Sequence, residues 1–184
     1  TALSFQTIKS GDSLSQGSAQ YDGIMSWSTF EHVRRDQLSL ILEDLHACLR
    51  PGGYFFIQIE PLYFSAYGSH LRRYDETPWH HLLATEDELW KVIEAHQGPI
   101  DPAEVDFGFA DFGVEGYKRF VFNEYKALNR LTADELVAFA QSAGFNVARE
   151  ERRSLDISPP NSLLAQYPRD WLTNNEIFLL LRKG

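Results

Sequence analysis

A near-continuous apolar run, Tyr54-Phe55-Phe56-Ile57-Gln58-Ile59-Glu60, stands directly after Pro51-Gly52-Gly53. A β-prone run of this kind suits a strand covered on both faces, as in a parallel sheet. Parallel pairing needs a long crossover, and the sequence supplies one. Tyr21-Asp22-Gly23-Ile24-Met25-Ser26 reads as a short strand upstream. Between the two, Arg35 to Leu49 carries Leu38, Ile41, Leu42, Leu45 and Leu49 at spacings of three and four, one apolar helix face. Pro51-Gly52-Gly53 should stop that helix sharply, because proline cannot continue it and glycine supplies positive φ. Strand, helix, turn and strand make one right-handed βαβ unit.

The remainder divides around this unit. Thr1 to Ser10 reads as a strand, with Leu3, Phe5 and Ile8 apolar among polar neighbours. Residues 61–131 are rich in aromatics and carry one clear helix, Glu86 to His96, with Thr85 as N-cap and Glu88 closing a capping box. Asp101-Pro102 reads as a further N-cap followed by a first-turn proline. Regular α/β grammar resumes at Thr132-Ala-Asp-Glu135, a second capping box, with Gly144 ending its helix. Phe145 to Arg152 and Glu176 to Leu181 are strand candidates, and Asn161 to Tyr167 a short helix. The predicted organisation is a core of residues 1–60 and 132–184, interrupted by a helical insertion over 61–131.

The 184 residues suffice for one domain with a normal core. With 26 acidic and 17 basic side chains the net charge is −9, which argues against nucleic acid as the main partner. Between Asp75 and Glu115 eleven acids face a single base, Lys91. That stretch is either a solvated acidic surface or a cation-binding face. The lone Cys48 excludes an internal disulfide and any cysteine-rich zinc site. No apolar run approaches the ~20 residues that span a bilayer, and no basic-then-apolar signal opens the chain, so a cytoplasmic protein without a membrane partner is expected.

Several chemistries lack their motif. The sequence holds no Gly-x-Gly-x-x-Gly, no Gly-x-x-x-x-Gly-Lys-Ser/Thr and no Gly-x-Ser-x-Gly. A nicotinamide oxidoreductase therefore has no phosphate loop here. The six histidines include the neighbours His80 and His81 but no i, i+4 pair, so no metal site is expected.

Gly11-Asp12-Ser13, Tyr21-Asp22-Gly23-Ile24-Met25-Ser26, Phe30-Glu31-His32-Val33 and Leu49-Arg50-Pro51-Gly52-Gly53-Tyr54, in this order and spacing, resemble the class I S-adenosylmethionine-dependent methyltransferases. More narrowly they are similar to the bacterial small-molecule group with an "EHV" step and an "LRPGG" step. The Thr132 to Gly144 helix, Ala143-Gly144-Phe145 and the final apolar strand are similar to that group as well. The resemblance implies a partial Rossmann-like sheet of the α/β class, with equivalents of strands 3, 4, 5, 7 and 6, the last strand antiparallel. It also implies S-adenosyl-L-methionine as cofactor and a small-molecule or sugar-like acceptor.

The resemblance distributes roles over this sequence. Asp12 at a strand tip would accept from the adenine amine, with Ser13 beside the ring; an ordinary Gly-Asp turn is the alternative. Ser26, Trp27 and Ser28 fall where a strand's carboxyl end opens onto the cofactor crevice. Trp27 could offer its π face to a cation or simply pack. Glu31 begins the following helix on the cofactor side, where the helix dipole favours an acid in any case. His32 becomes a substrate or cofactor contact. Tyr67-Gly68-Ser69-His70-Leu71 and Pro78-Trp79-His80-His81-Leu82-Leu83 resemble an insertion that overhangs the acceptor. Tyr67, His80 and His81 are thus candidates for acceptor binding and His70, with His32, for proton removal; structural histidines in an aromatic cluster are the alternative.

The family's glycine-rich loop and its ribose-binding acid are missing from this pattern. The resemblance therefore places the chain as the carboxyl-terminal portion of such an enzyme, with Tyr21 to Ser26 as an open sheet edge. An open apolar edge invites a homodimer or a swapped assembly, or rearrangement of the first twenty residues. A noncatalytic binding or scaffold module on the same half-fold is the competing function. In-line transfer from a sulfonium needs little beyond positioning, so the absence of a catalytic triad does not discriminate.

Overall fold

The computed structural model describes residues 13–14, 21–98 and 113–184. The expected Thr1 to Ser10 strand, Asp12 and the Asp101-Pro102 cap lie outside the described residues.

Four strands form one mixed sheet: β1 (Tyr21–Trp27), β2 (Leu49–Ile59), β3 (Phe145–Ser154) and β4 (Asn174–Lys183), in the order β1-β2-β4-β3. β1 and β2 are parallel, with Gly23 opposite Tyr54 and Trp27 opposite Gln58. β4 runs antiparallel to β2, pairing Phe56 with Leu180, and antiparallel to β3. Among the described residues β1 is an edge strand.

The crossover from β1 to β2 is α1 (Leu38–Cys48). It is shorter than the apolar spacing predicts. Arg35–Gln37 form a separate 3-10 turn, and Leu49 already pairs with Tyr21 as the first residue of β2. Pro51-Gly52-Gly53 is accordingly not the boundary between helix and strand but an irregularity within β2. Gly52 takes φ +78°, and a Cβ on Gly53 would stand 2.9 Å from the Arg50 carbonyl oxygen and 3.1 Å from that of Asp22. Only glycine fits that approach.

One face of the sheet is buried. Phe55, Ile57, Ile59, Ile177, Leu179 and Leu181, all fully inaccessible, pack against Leu38 and Leu42 of α1 and against Leu136 and Ala140 of α5 (Ala133–Ser142). Each such side chain contributes about 1.5–3 kcal/mol. Capping boxes at Thr85 and Thr132 start α3 (Glu86–Ala95) and α5, as their sequences require. On the other face Trp27 lies against Phe56 and Phe178, with ring centroids 6.1 and 6.5 Å away, and Met25 is exposed.

The insertion has a core of its own, in which Tyr63, Leu71 and Tyr74 meet Leu89 and Ile93 of α3 and Phe122 and Tyr125 of α4 (Gly113–Ala127). No simple apolar period marks α4 in the sequence, because its inward stripe is aromatic and interrupted by Lys118. That lysine is buried, with Nζ donating to the Glu94 carbonyl at 2.9 Å and to Glu115 at 3.0 Å. α2 (His80–Leu83), α6 (Asn161–Leu164) and α7 (Arg169–Thr173) complete the chain; Trp79 joins insertion to core by packing on Leu163 and Leu172. Among the described residues no helix is long and apolar enough to cross a membrane.

Candidate functional site

Parallel β1 and β2 end side by side, the edge at which such sheets take their ligands. Ser28, just past β1, has φ +43° and is pinned to β2: its amide donates to the Gln58 carbonyl at 3.0 Å and its hydroxyl to Gln58 Oε1 at 3.0 Å. Gln58 Nε2 in turn donates to Glu176 Oε1 at 2.8 Å, and Arg153 Nη1 stands 3.4 Å from the other carboxylate oxygen. A buried glutamine within an apolar strand needs such partners, and here it has them.

The chain then turns through Phe30–His32, a 3-10 turn and not the start of α1. Phe30 enters the core against Phe55, its neighbour Glu31 is buried as well, and His32 stays on the rim. Asn129 holds this turn from nearly a hundred residues away. Its amide donates to the Glu31 carbonyl at 3.0 Å, and its Nδ2 donates to the carbonyls of Phe30 at 2.6 Å and Val33 at 2.8 Å.

Glu31 is only 5% exposed, and neither carboxylate oxygen has a hydrogen-bond partner. Burial pushes its pKa up to about 7. The helix-dipole setting expected from the sequence is therefore replaced by a pocket that leaves the acid uncompensated. His70, held at φ +61°, brings its ring to 5.4 Å from that of His32. Its Nε2 is buried without a partner, while a hydrogen bond reaches the Pro61 carbonyl. Burial, with His32 adding to it, drives the His70 pKa down to about 4. Burial lowers that of His32 too, against the pull of Glu124, whose Oε2 is 3.7 Å from His32 Nδ1.

Beside His70 opens a cleft of about 610 Å3, lined also by Tyr67, Arg72, Arg73, Glu60 and Asn175. The Arg72 guanidinium lies over the Tyr67 ring at 4.3 Å, so a cation and an aromatic face are presented together. A smaller cavity of about 10 Å3 lies between Glu31, His70, Pro61 and Asn129.

The structure thus gathers Glu31, His32 and His70 and puts Tyr67 on the adjoining cleft. Ser26 and Ser28 sit at the end of β1, whereas Trp27 turns to the open sheet face and packs on Phe56 and Phe178. Ser13 donates to Asp44 of α1 at 2.7 Å. His80 and His81 stay apart from the cleft: His80 pairs with Asp75, and buried His81 donates through Nε2 to the Tyr63 carbonyl at 2.7 Å. Sequence reasoning missed Gln58, Glu176, Asn129 and Glu124. A polar residue at 58 inside an apolar strand was the available signal for the first; nothing local marks Asn129.

A mixed α/β domain with its polar groups collected where two parallel strands end belongs to the broad class of ligand-binding Rossmann-like folds. A family profile described as a methyltransferase domain matches residues 5–150, and the chain belongs to that family. No curated protein sequence matches the chain. Among solved structures, a SAM-dependent methyltransferase of Methanosarcina mazei is 16% identical, with TM-score 0.46 over 93% of this chain and 63% of its own. A SAM-dependent methyltransferase of Thermotoga maritima, described as a possible histamine N-methyltransferase, is 14% identical, with TM-score 0.47 over 92% and 59%. A protein of Bordetella parapertussis described as a possible exported protein is 15% identical, with TM-score 0.43 over 91% and 40%. The chain spans less than two thirds of each of these proteins.

Proposed function

We propose that the chain takes part in S-adenosylmethionine-dependent methyl transfer to a small molecule. The observation that supports this most strongly is the convergence of Glu31, His32 and His70 at the carboxyl ends of the parallel strands, next to the Tyr67–Arg72 cleft. An uncompensated buried carboxylate at that edge suits a positively charged ligand, and the cofactor's sulfonium is one. Asp12 and Ser13 would hold its adenosine end, and Ser26 and Ser28 its methionine end, with Glu31 as nearby counter-charge. When bound, the cofactor supplies an electrophilic methyl group to a nucleophile held in line.

The chain's own contribution is then positioning and proton handling. Alignment of donor and acceptor can account for about 7–11 kcal/mol of barrier, and a base for about 10²–10⁴-fold more. His70, kept neutral by burial, has a free ring nitrogen able to accept a hydrogen bond from an acceptor hydroxyl or amine and so to orient it, although its lowered pKa makes it a weak base. His32, on the rim, can pass a proton toward Glu124 and solvent. Arg72, Arg73, Glu60 and Glu76 give the cleft charges of both signs, which fits a polar acceptor. Isothermal titration with S-adenosylmethionine tests the cofactor half of the reading: saturable one-to-one binding supports it, and its absence favours a noncatalytic module on the same half-fold.

A further inference from the structure

The ligand atoms of Glu31, His32 and His70 all lie within 4.8 Å of one another. Glu31 is 95% buried with both carboxylate oxygens unpartnered, and His70 Nε2 is buried and unpartnered beside it. A sulfonium would answer the carboxylate alone, because it is no donor for a neutral imidazole nitrogen. One metal cation answers all three groups. We propose that Glu31, His32 and His70 form a binding site for a divalent transition-metal cation of the zinc type.

Two imidazoles and one carboxylate select zinc and its first-row neighbours over magnesium or calcium, which prefer oxygen donors throughout. The surroundings have the outer shell that orients metal-binding histidines: Glu124 lies 3.7 Å from His32 Nδ1, and the Pro61 carbonyl receives a hydrogen bond from His70. The cavity of about 10 Å3 between Glu31 and His70 is the size of one ion or water. Tetrahedral donors bound at ~2.1 Å sit about 3.4 Å apart, so the three side chains, whose ligand atoms lie within 4.8 Å of one another, would close slightly around an ion. Three protein donors leave a fourth position open, the pattern of catalytic rather than structural zinc. Because His70 also lines the large cleft, an oxygen or nitrogen of an acceptor held there can fill that position.

This site goes beyond methyl transfer and reassigns Glu31 from counter-charge to ligand. A metal on His70 Nε2 takes the lone pair that would accept the acceptor's hydrogen bond, so the site keeps the cofactor-binding part of the proposed function and replaces the role given there to His70. It is read without cofactor or acceptor, and metal binding and cofactor binding can each fail alone. Protein freed of metal by chelator dialysis is titrated with Zn2+ and, separately, with Co2+. The expected result is one equivalent bound per chain, visible Co2+ absorption bands of a low-coordinate site, and binding weakened at least tenfold in Glu31→Gln, His32→Ala and His70→Ala. His96→Ala, outside the cluster, should bind as the parent does. His32 lies on the rim, so His32→Ala keeps the test decisive even if a buried variant fails to fold. Lack of stoichiometric binding, or binding undiminished in His32→Ala, overturns the proposal.

Discussion

The backbone amide of Asn129 donates to the carbonyl of Glu31 at 3.0 Å, so a residue at the end of the insertion fixes the turn carrying the site. Its side chain bridges two further carbonyls of the same turn. Asn129→Ala leaves those acceptors buried and unpaired, each costing about 1–3 kcal/mol. Urea denaturation should show a loss of about 2–4 kcal/mol. A change below 0.5 kcal/mol would mean that the turn holds its shape unaided.

Gln58 and Glu176 form the second buried polar pair of the site, at 2.8 Å. Gln58→Leu removes the donor to Glu176 Oε1 and the acceptor of the Ser28 hydroxyl, leaving Glu176 with Arg153 alone, and should destabilise by about 2–3 kcal/mol. Adding Glu176→Leu should recover part of that loss. A double-mutant cycle with purely additive effects would show the two residues to be uncoupled.

His81 gives the fold a pH dependence with a definite sign. Burial lowers its pKa to about 4, although the hydrogen bond to Tyr63 and the charge of Asp75 oppose the shift; His80 and Arg130 add to it. The unfolded chain therefore binds the proton first as pH falls. Stability is full above the ordinary histidine value of 6.5 and declines from there to about pH 4, by about 3 kcal/mol in all. Between pH 7.5 and 5 His70 loses stability in the same direction while Glu31, raised to about 7, gains it, so the His81 contribution is read as the difference in denaturation midpoints between the parent and His81→Gln over that range. An unchanged slope in that variant would assign the effect elsewhere.

Gly53 tests the bent start of β2. Gly53→Ala drives a Cβ against two backbone oxygens that cannot give way, and should cost about 1–3 kcal/mol. At Gly23 the nearest atom to an added Cβ is 3.8 Å away, so Gly23→Ala should be milder. Equal melting temperatures for the two variants would contradict this account of the glycine pair.

What could be read from the sequence followed from local chemistry. The apolar runs at Tyr54–Ile59 and Ile177–Leu181 announced the two central strands, and the Thr85 and Thr132 boxes announced their helices to within a residue. The alternation that hides α4 fails because an aromatic stripe with a buried Lys118 has no simple apolar period. At the site, His32 and His70 were legible from their motifs, but the burial of Glu31 was not. That burial comes with contacts between distant parts of the chain, since residues 59–70 and 128–131 surround Glu31 and Asn129 bonds the turn that carries it. The missing i, i+4 histidine pair argued against a metal, yet the fold brings donors together from a turn and an insertion instead.

The most direct test of the proposed function is ultraviolet crosslinking of methyl-labelled S-adenosylmethionine to the protein, followed by peptide mapping. The label should attach within residues 21–34, saturate with cofactor concentration and be displaced by S-adenosylhomocysteine. Label confined to other peptides, or labelling that the competitor leaves untouched, would contradict a cofactor site at the end of β1.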